Sequence, residues 1–172
     1  MHIFVEGPSG SVLSAKVERL ARQALAEKVC PYVNGYQTWH EHVPGDERKL
    51  VYIDEWDAPH VPDHDRYIGC YLDGQFISSL AAFERFAPLL AAAPAGGLTV
   101  LDTLGIMEEH APMFKAAVLE MLDRPGTVLA AIRDIDTPFL NQLRRRGDVR
   151  IFSLGAPDEG IYAALKEEFA KH

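Results

Sequence analysis

Short apolar segments typical of buried strands alternate with segments of helical periodicity, and this alternation constrains the fold more than any other feature. Residues 2–6 predict a strand that is followed at once by a glycine-rich turn and an amphipathic helix to about Lys28. Later strands, apolar throughout, are predicted at 98–101, 127–132 and 149–154. Strands of this kind are covered by helices on both faces, so we expect a doubly wound, mostly parallel α/β sheet in three layers.

The remaining elements follow from periodicity and turn residues. Strands are predicted at 36–43, 50–53 and 67–72, and helices at 79–93, 111–122, 138–145 and 158–170. We expect the helix at 79–93 to be broken at Pro88, because proline has no backbone N–H to donate. No linker or internal repeat divides the sequence, so residues 1–172 are predicted to form one domain.

Composition excludes several classes of partner. The chain has 172 residues with 17 Lys+Arg and 25 Asp+Glu, a formal net charge of −8, which argues against nucleic-acid binding. No apolar run approaches the roughly 18 residues that cross a bilayer, and no secretory signal is visible, so no membrane partner is expected. The two cysteines fit reduced thiols, and we expect a cytoplasmic protein.

The first turn predicts an anion site. Backbone N–H groups at a helix start are unpaired, and the helix dipole favours negative charge there. Residues 7–14, GPSGSVLS, have the length of the phosphate-binding loop GxxxxGK followed by Ser or Thr. Val12 replaces the second glycine of that pattern and Leu13 replaces its lysine. A nucleotide or phosphate anion would therefore meet a cradle without a lysine, formed by Gly7, Pro8, Ser9, Gly10, Ser11, Val12, Leu13 and Ser14.

Two further residues bear on this cradle. A lysine bond to phosphate contributes about 1.5–3 kcal/mol, and Lys16 either supplies the missing charge or is a solvated helix residue. Asp102 ends an apolar strand that is expected beside the turn, where such folds hold magnesium-bound water. We therefore expect Ser14 and Asp102 to hold Mg²⁺ through water, together with ATP or GTP, if nucleotide binding persists.

Several motifs together resemble a known family. The motifs are Gly7-Pro8-Ser9-Gly10, Gly35-Tyr36-Gln37-Thr38, Asp102 to Met107-Glu108, and a tail made of Val128–Ile132, Pro138 and Arg146–Phe152. Their content and order resemble the small P-loop nucleoside-triphosphatases first known from thermophiles, a family that includes a human cancer-related member. The resemblance covers nearly the whole chain and implies a P-loop fold with magnesium-dependent hydrolysis of nucleoside triphosphates.

The departures from the family pattern fall on its catalytic residues. Leu13 stands for the lysine, Thr103 for the glutamate that positions or deprotonates the attacking water, and Arg133 for a histidine. Arg133 is either a phosphate contact or a surface charge. Loss of a positioned base typically lowers the rate by 10²–10⁴, so we do not expect efficient hydrolysis of the family type.

Three functions remain open. The first is a degenerate P-loop NTPase-like protein, or pseudoenzyme, that binds nucleotide or phosphate or a protein partner with little or no hydrolysis. The second is an active nucleoside-triphosphatase or kinase-like phosphotransferase, in which Lys16 or Arg133 replaces the lysine and Glu108 or Asp102 serves the water. The third is a structural subunit without a ligand. Separately, His60 and His64 lie in a proline-rich stretch that is either a polar surface loop or a metal site.

Overall fold

A computed structural model of the protein describes residues 1–171. Its strands are β1 (His2–Gly7), β2 (Val33–His42), β3 (Lys49–Glu55), β4 (Tyr67–Leu72), β5 (Gln75–Ser78), β6 (Leu98–Leu104), β7 (Thr127–Arg133) and β8 (Val149–Ser153). Its α-helices are α1 (Gly10–Ala26), α2 (Leu80–Ala91), α3 (Pro112–Asp123), α4 (Pro138–Arg144) and α5 (Asp158–Phe169). No helix in this range is both long and apolar enough to span a bilayer.

All the strands belong to one sheet between two layers of helices. The strand order is β5-β4-β3-β2-β6-β7-β1-β8, and the five strands from β2 to β8 in that order run parallel. Alternate residues of β1 face opposite layers: Phe4 packs with α2, α3 and α4, whereas Ile3 and Val5 pack with α1 and α5. The predicted doubly wound, mostly parallel sheet in three layers is confirmed.

Two local predictions differ from the structure. Helix α2 passes through Pro88 without a break, since Pro88 lies in its last turn and Ala92 N still donates to Pro88 O over 3.0 Å. Strand β5 was not predicted; it follows a two-residue turn at Asp73 and Gly74, whose φ angles are 51° and 74°. An Asp-Gly pair at such φ angles is the local signal for a hairpin, so the sequence does contain it.

Strands β3, β4 and β5 extend the parallel sheet by antiparallel pairing. The pairing of β2 with β6 stops at Gln37 and Asp102, and the rest of β2, through His42, continues beside β3. The far half of β2 therefore stands beyond the carboxyl edge of the parallel strands. Together with its antiparallel neighbours it forms a wall beside the loops where ligands bind in sheets of this type.

Gly35 sets the contact between β2 and β6. Its φ is +108°, and a Cβ atom at this position would lie 1.9 Å from the carbonyl oxygen of Val100. Only glycine permits this approach, because any side chain would collide with the neighbouring backbone. The next residue, Tyr36, is buried and packs edge-on against Phe114 with ring centroids 5.4 Å apart.

We expect Gly35→Ala to lower the free energy of unfolding by about 3–5 kcal/mol, from left-handed strain and backbone collision together. Gly45→Ala is the matched control, since Gly45 also has a positive φ (+81°) but nothing within 4 Å of an added Cβ. Its expected loss is about 1–2 kcal/mol. Urea denaturation measures both, and equal losses would contradict a close contact between β2 and β6.

Candidate functional site

The turn between β1 and α1 is shorter than the sequence pattern suggests. Helix α1 begins at Gly10, and the N–H of Leu13 already donates to Ser9 O over 3.0 Å. The connection is therefore Pro8 and Ser9 alone, whereas the sequence predicted a turn over residues 7–10 and a helix from Val12. A valine at position 12 favours this helical path, because it disfavours the left-handed backbone that glycine permits. The N–H groups of residues 10–12 have no backbone acceptor in the described chain and remain available to an anion.

Leu13 belongs to the hydrophobic core. Its side chain is 0% exposed and packs in the layer between α1, α5 and the sheet, together with Val5 and Val17. Val12, one residue earlier, is 53% exposed. The position that carries lysine in a phosphate-binding loop here anchors the first turn of α1 to the sheet.

The Lys16 ammonium binds the segment that follows β8. Its Nζ donates to the carbonyl oxygens of Leu154 over 3.1 Å and Ala156 over 2.5 Å, and it pairs with Asp158 at 2.8 Å. These contacts hold the segment between β8 and α5 against α1. Two carbonyls and a carboxylate thus occupy the Lys16 ammonium, and Lys16 is not among the residues that line the cavity at the start of α1.

Arg133 lies beside the start of α1. It ends β7, where it pairs in register with Gly7, and a methyl group added at Gly10 would lie 3.8 Å from its Nη1 atom. Among residues 1–171 its side chain donates no hydrogen bond and forms no ion pair, and its Nε is buried without an acceptor. A guanidinium and a helix N-terminus both carry positive potential, so an anion between them would satisfy both.

Ser14, Asp102 and Thr103 form a hydrogen-bonded group at the cavity, which Ser14 and Thr103 line. Ser14 Oγ donates to Asp102 Oδ1 over 2.5 Å, and Thr103 Oγ1 donates to the same oxygen over 2.6 Å. Burial raises the pKa of the Asp102 carboxyl to about 6, although these two hydrogen bonds act in the opposite direction. The structure brings together the pair that the sequence assigned to magnesium.

Glu108 is fully buried below the loop that follows β6. Its Oε1 accepts a hydrogen bond from the N–H of Gly105, and its Oε2 is buried without a partner in the described chain. Burial raises the pKa of the Glu108 carboxyl to about 7. Glu108 is not among the residues that line the cavity, and its carboxyl braces the loop that follows β6.

The second wall of the site was not found from the sequence. Side chains that alternate along β2 and β3, with their neighbours in register on β4 and β5, face the same way: Thr38, His40, Val51, Lys49, Tyr71 and Phe76. The period of two along β2 was visible, but the face it presents to the first turn depends on pairing across the antiparallel strands.

One wall of the site is formed by the start of α1 and Arg133, and the second by the face on β2–β5. Between them lies a cavity of about 540 Å³, within the range of small-molecule sites. Its charged lining residues are Arg133 and Lys49, and neither aspartate nor glutamate lines it, although the chain carries 25 acidic residues. Partial desolvation and the nearby positive charge of Lys49 lower the pKa of His40 to about 4, so this imidazole is neutral at pH 7. The cavity therefore favours an anionic ligand.

The His60 loop shows no metal site. No group of three or more His, Cys, Asp or Glu residues in the part of the chain described here gathers in a metal-binding arrangement. His60 instead stacks on Trp39, with ring centroids 4.8 Å apart and planes 3° from parallel. His60 and His64 are both exposed in this loop.

We expect Glu108→Gln to change how stability depends on pH. The pKa of Glu108 is about 7 in the folded state and lies above its unfolded value. The contribution of this carboxyl to the free energy of unfolding therefore falls by about 3 kcal/mol as pH rises from about 4.5 to about 7. The glutamine keeps an acceptor for the Gly105 N–H and does not ionise. The difference in Tm, variant minus parent, should increase across this pH range.

Glu120→Gln, at an exposed position on α3, is the control for loss of a carboxyl. A Tm difference for Glu108→Gln that stays level from pH 4.5 to 7 would contradict the burial of an ionisable group at this position.

Several known proteins are similar to this chain in sequence or structure. A family model described as NTPase matches residues 69–161. The cancer-related nucleoside-triphosphatase homolog of Bos taurus is 34% identical over 93 aligned positions, 47% of this chain and 48% of that protein. The Homo sapiens cancer-related nucleoside-triphosphatase is 30% identical over the same shares. The chain thus aligns with about half the length of these two relatives.

Two comparisons span more of the chain. The Mus musculus homolog is 25% identical over 177 aligned positions, 89% of this chain and 87% of that protein. The crystal structure of THEP1 from the hyperthermophile Aquifex aeolicus superimposes with a TM-score of 0.62 at 19% identity, covering 99% and 98% of the two chains, and it shows the shared fold. The family resemblance predicted from the motifs is confirmed. Because the family model covers more than half of the sequence, including Asp102 and Arg133, the chain belongs to this NTPase family.

Proposed function

We propose that this chain binds a nucleotide or a related phosphate-bearing ligand in the cavity beside α1 and hydrolyses it little or not at all. The observation that carries the proposal is Arg133, a guanidinium with no acceptor in residues 1–171, next to the free N–H groups that start α1. The cavity it faces is lined by two cations, by hydroxyls and by apolar side chains, and among residues 1–171 no carboxylate lines it. These are the groups that recognise phosphate oxygens.

Ser14 and Asp102, beside this cavity, fit a magnesium ion. Ser14 Oγ and Asp102 Oδ1 are oxygen donors 2.5 Å apart, and Mg²⁺ is usually bound by one or two carboxylates together with substrate phosphates. Ser14 and Asp102 would hold the ion, which would offset negative charge on the phosphates when bound. Asp102 would then ionise fully, because a nearby cation lowers a carboxyl pKa.

Weak hydrolysis follows from what the cavity wall lacks. Thr103 stands where the family pattern has a glutamate, and its hydroxyl is already bonded to Asp102. The imidazole of His40 is a poor base at neutral pH, since its pKa is lowered to about 4. With Leu13 in the core and Lys16 engaged elsewhere, phosphate binding depends on Arg133 and the backbone.

A second candidate is retained hydrolysis. Relatives of this chain are named nucleoside-triphosphatases, and the pKa of Asp102, about 6, lies close to the pH at which a carboxylate acts as a general base. In that case Asp102 would serve the water, and Asp102→Ala would abolish turnover.

The proposal also concerns the compartment and the class of partner. Cys30 and Cys70 are buried free thiols, which supports a reducing compartment such as the cytoplasm. The net charge of −8 favours a small anion held in a local cationic cavity over a nucleic acid bound across the surface.

We expect Arg133→Gln to weaken the binding of Mg²⁺-ATP and Mg²⁺-GTP by about 10–100-fold, because a charge-assisted contact to phosphate is lost. Titration calorimetry measures the affinity, with Arg145→Gln as the control for removal of an exposed arginine. A phosphate-release assay on the same samples measures turnover.

Binding without phosphate release supports the proposal. Phosphate release that Asp102→Ala abolishes would favour the active enzyme, and no binding of either nucleotide by the parent would leave a structural subunit. An unchanged affinity in Arg133→Gln would show that Arg133 is a surface charge.

We expect Leu13→Lys to lower the free energy of unfolding by about 3–5 kcal/mol and not to create hydrolysis, because the substitution places a charge in an apolar layer. Leu13→Met conserves volume and should cost less than about 1.5 kcal/mol. Urea denaturation and phosphate release measure the two effects. A stable Leu13→Lys protein that hydrolyses ATP would contradict the burial of this position.

A further inference from the structure

Arg144, the last residue of α4, binds the ends of two strands. Its Nη2 atom donates to Arg133 O over 2.9 Å, and its Nη1 atom donates to Ile135 O over 3.0 Å. Its Nε atom donates to a carboxylate oxygen of Glu6, the residue before Gly7, over 2.6 Å. One guanidinium therefore joins the carboxyl end of β1 to the end of β7 and the segment that follows it.

This contact acts where Arg133 leaves the sheet. The register between β6 and β7 ends one residue before Arg133, which pairs with Gly7 of β1. Beyond it, the N–H of Asp134 donates to Gly7 O over 3.1 Å. Arg144 adds hydrogen bonds to the carbonyl groups of the residues before and after Asp134. Together these bonds hold the direction in which the chain leaves β7.

The side chain of Arg133 depends on that backbone for its position. Among residues 1–171 it donates no hydrogen bond, and a Cβ atom at Gly105 would lie 3.3 Å from its Cγ, on the loop after β6. A shift of the backbone at Arg133 would therefore move the guanidinium relative to the N–H groups that start α1. A cation that is held in place before an anion arrives loses less conformational freedom on binding.

The acceptors of Arg144 require an arginine. A guanidinium presents five N–H donors in a fixed fork, whereas an ammonium presents three donors around one point. The acceptors come from three separate places: Glu6 on β1, the segment after β7, and Asn141 on α4, whose Oδ1 accepts from Nη1 over 2.9 Å. The fork can reach all three at once, and its charge is balanced by the Glu6 carboxylate.

We infer that Arg144 is a positioning residue for Arg133: it sets the place of that guanidinium beside the start of α1 without contacting the ligand itself. Arg144 is not among the residues that line the cavity. The inference rests on the proposed function, since it concerns how the chain holds the phosphate contact that this function requires. It extends the binding machinery from the cavity wall to the last turn of α4.

The test is a double-mutant cycle on ligand affinity. Titration calorimetry measures the affinity for Mg²⁺-ATP and Mg²⁺-GTP of the parent, Arg144→Gln, Arg133→Gln and the variant with both substitutions. Arg124→Gln is the matched control, because Arg124 also donates to two carbonyl groups, those of Ala91 over 2.9 Å and Ala93 over 2.7 Å. Arg124 is not among the residues that line the cavity. Circular dichroism melts verify that each variant is folded.

We expect Arg144→Gln to weaken the tighter-bound nucleotide about tenfold in the parent, and by less than about twofold in the Arg133→Gln background. The second loss is smaller because Arg144 acts through a side chain that this background lacks. Arg124→Gln should lower Tm and leave the affinity unchanged. Equal losses from Arg144→Gln in the two backgrounds would show a general effect on the fold and overturn the inference.

Two further variants separate the position of Arg133 from stability and from charge. Arg144→Lys keeps the charge but not the fork, and it should weaken binding more than about twofold, again only where Arg133 is present. Glu6→Gln combined with Arg144→Gln should bind as weakly as Arg144→Gln alone. Recovery of the parent affinity in that combination would assign the loss to an unpaired Glu6 carboxylate and overturn the inference.

Other outcomes distinguish the inference from the proposed function. If Arg144→Gln and Arg144→Lys keep the parent affinity, or if Arg133→Gln does, the positioning role is overturned while nucleotide binding stands. If the parent binds neither nucleotide, the proposed function is overturned and the positioning role with it.

Discussion

The close approach of β2 to β6 at Gly35 and Val100 is the contact on which the site depends. It joins the antiparallel strands to the parallel sheet and sets how far β2 stands beyond the carboxyl edge. Without it, the face that carries His40 and Lys49 would not oppose the start of α1. The cavity exists because two kinds of strand pairing meet at one backbone contact that only glycine permits.

The walls of the cavity carry positive charge. Arg133 and Lys49 face it, whereas the carboxyls of Asp102 and Glu108 are held in buried hydrogen bonds. An anion is attracted to such a surface. The loss of the lysine at Leu13 is structural as well as chemical, because that position now anchors α1 to the core.

Much of the fold was predictable because it depends on local patterns. Alternating apolar segments predicted the layers, and Asp102, which was predicted to end its strand, lies two residues before the end of β6 and accepts a hydrogen bond from Ser14. Pro88 was misjudged because tertiary packing of α2 outweighs one missing hydrogen bond near its end. Strand β5 was missed although its Asp-Gly turn is a local signal, since the strand is short and exposed at the sheet edge.

The sequence by itself determined most of the helices and strands, which of their faces are apolar, and that an apolar side chain, Leu13, follows the first turn. Tertiary structure alone decided where the remaining charges lie: Lys16 pairs with Asp158, far along the chain, while Arg133 lies beside Gly10. The periodicity of apolar residues predicts which face of a helix or strand is buried, and it depends only on residues close in sequence. The position of an ammonium or guanidinium depends instead on acceptors from distant segments, which only the folded chain brings within reach.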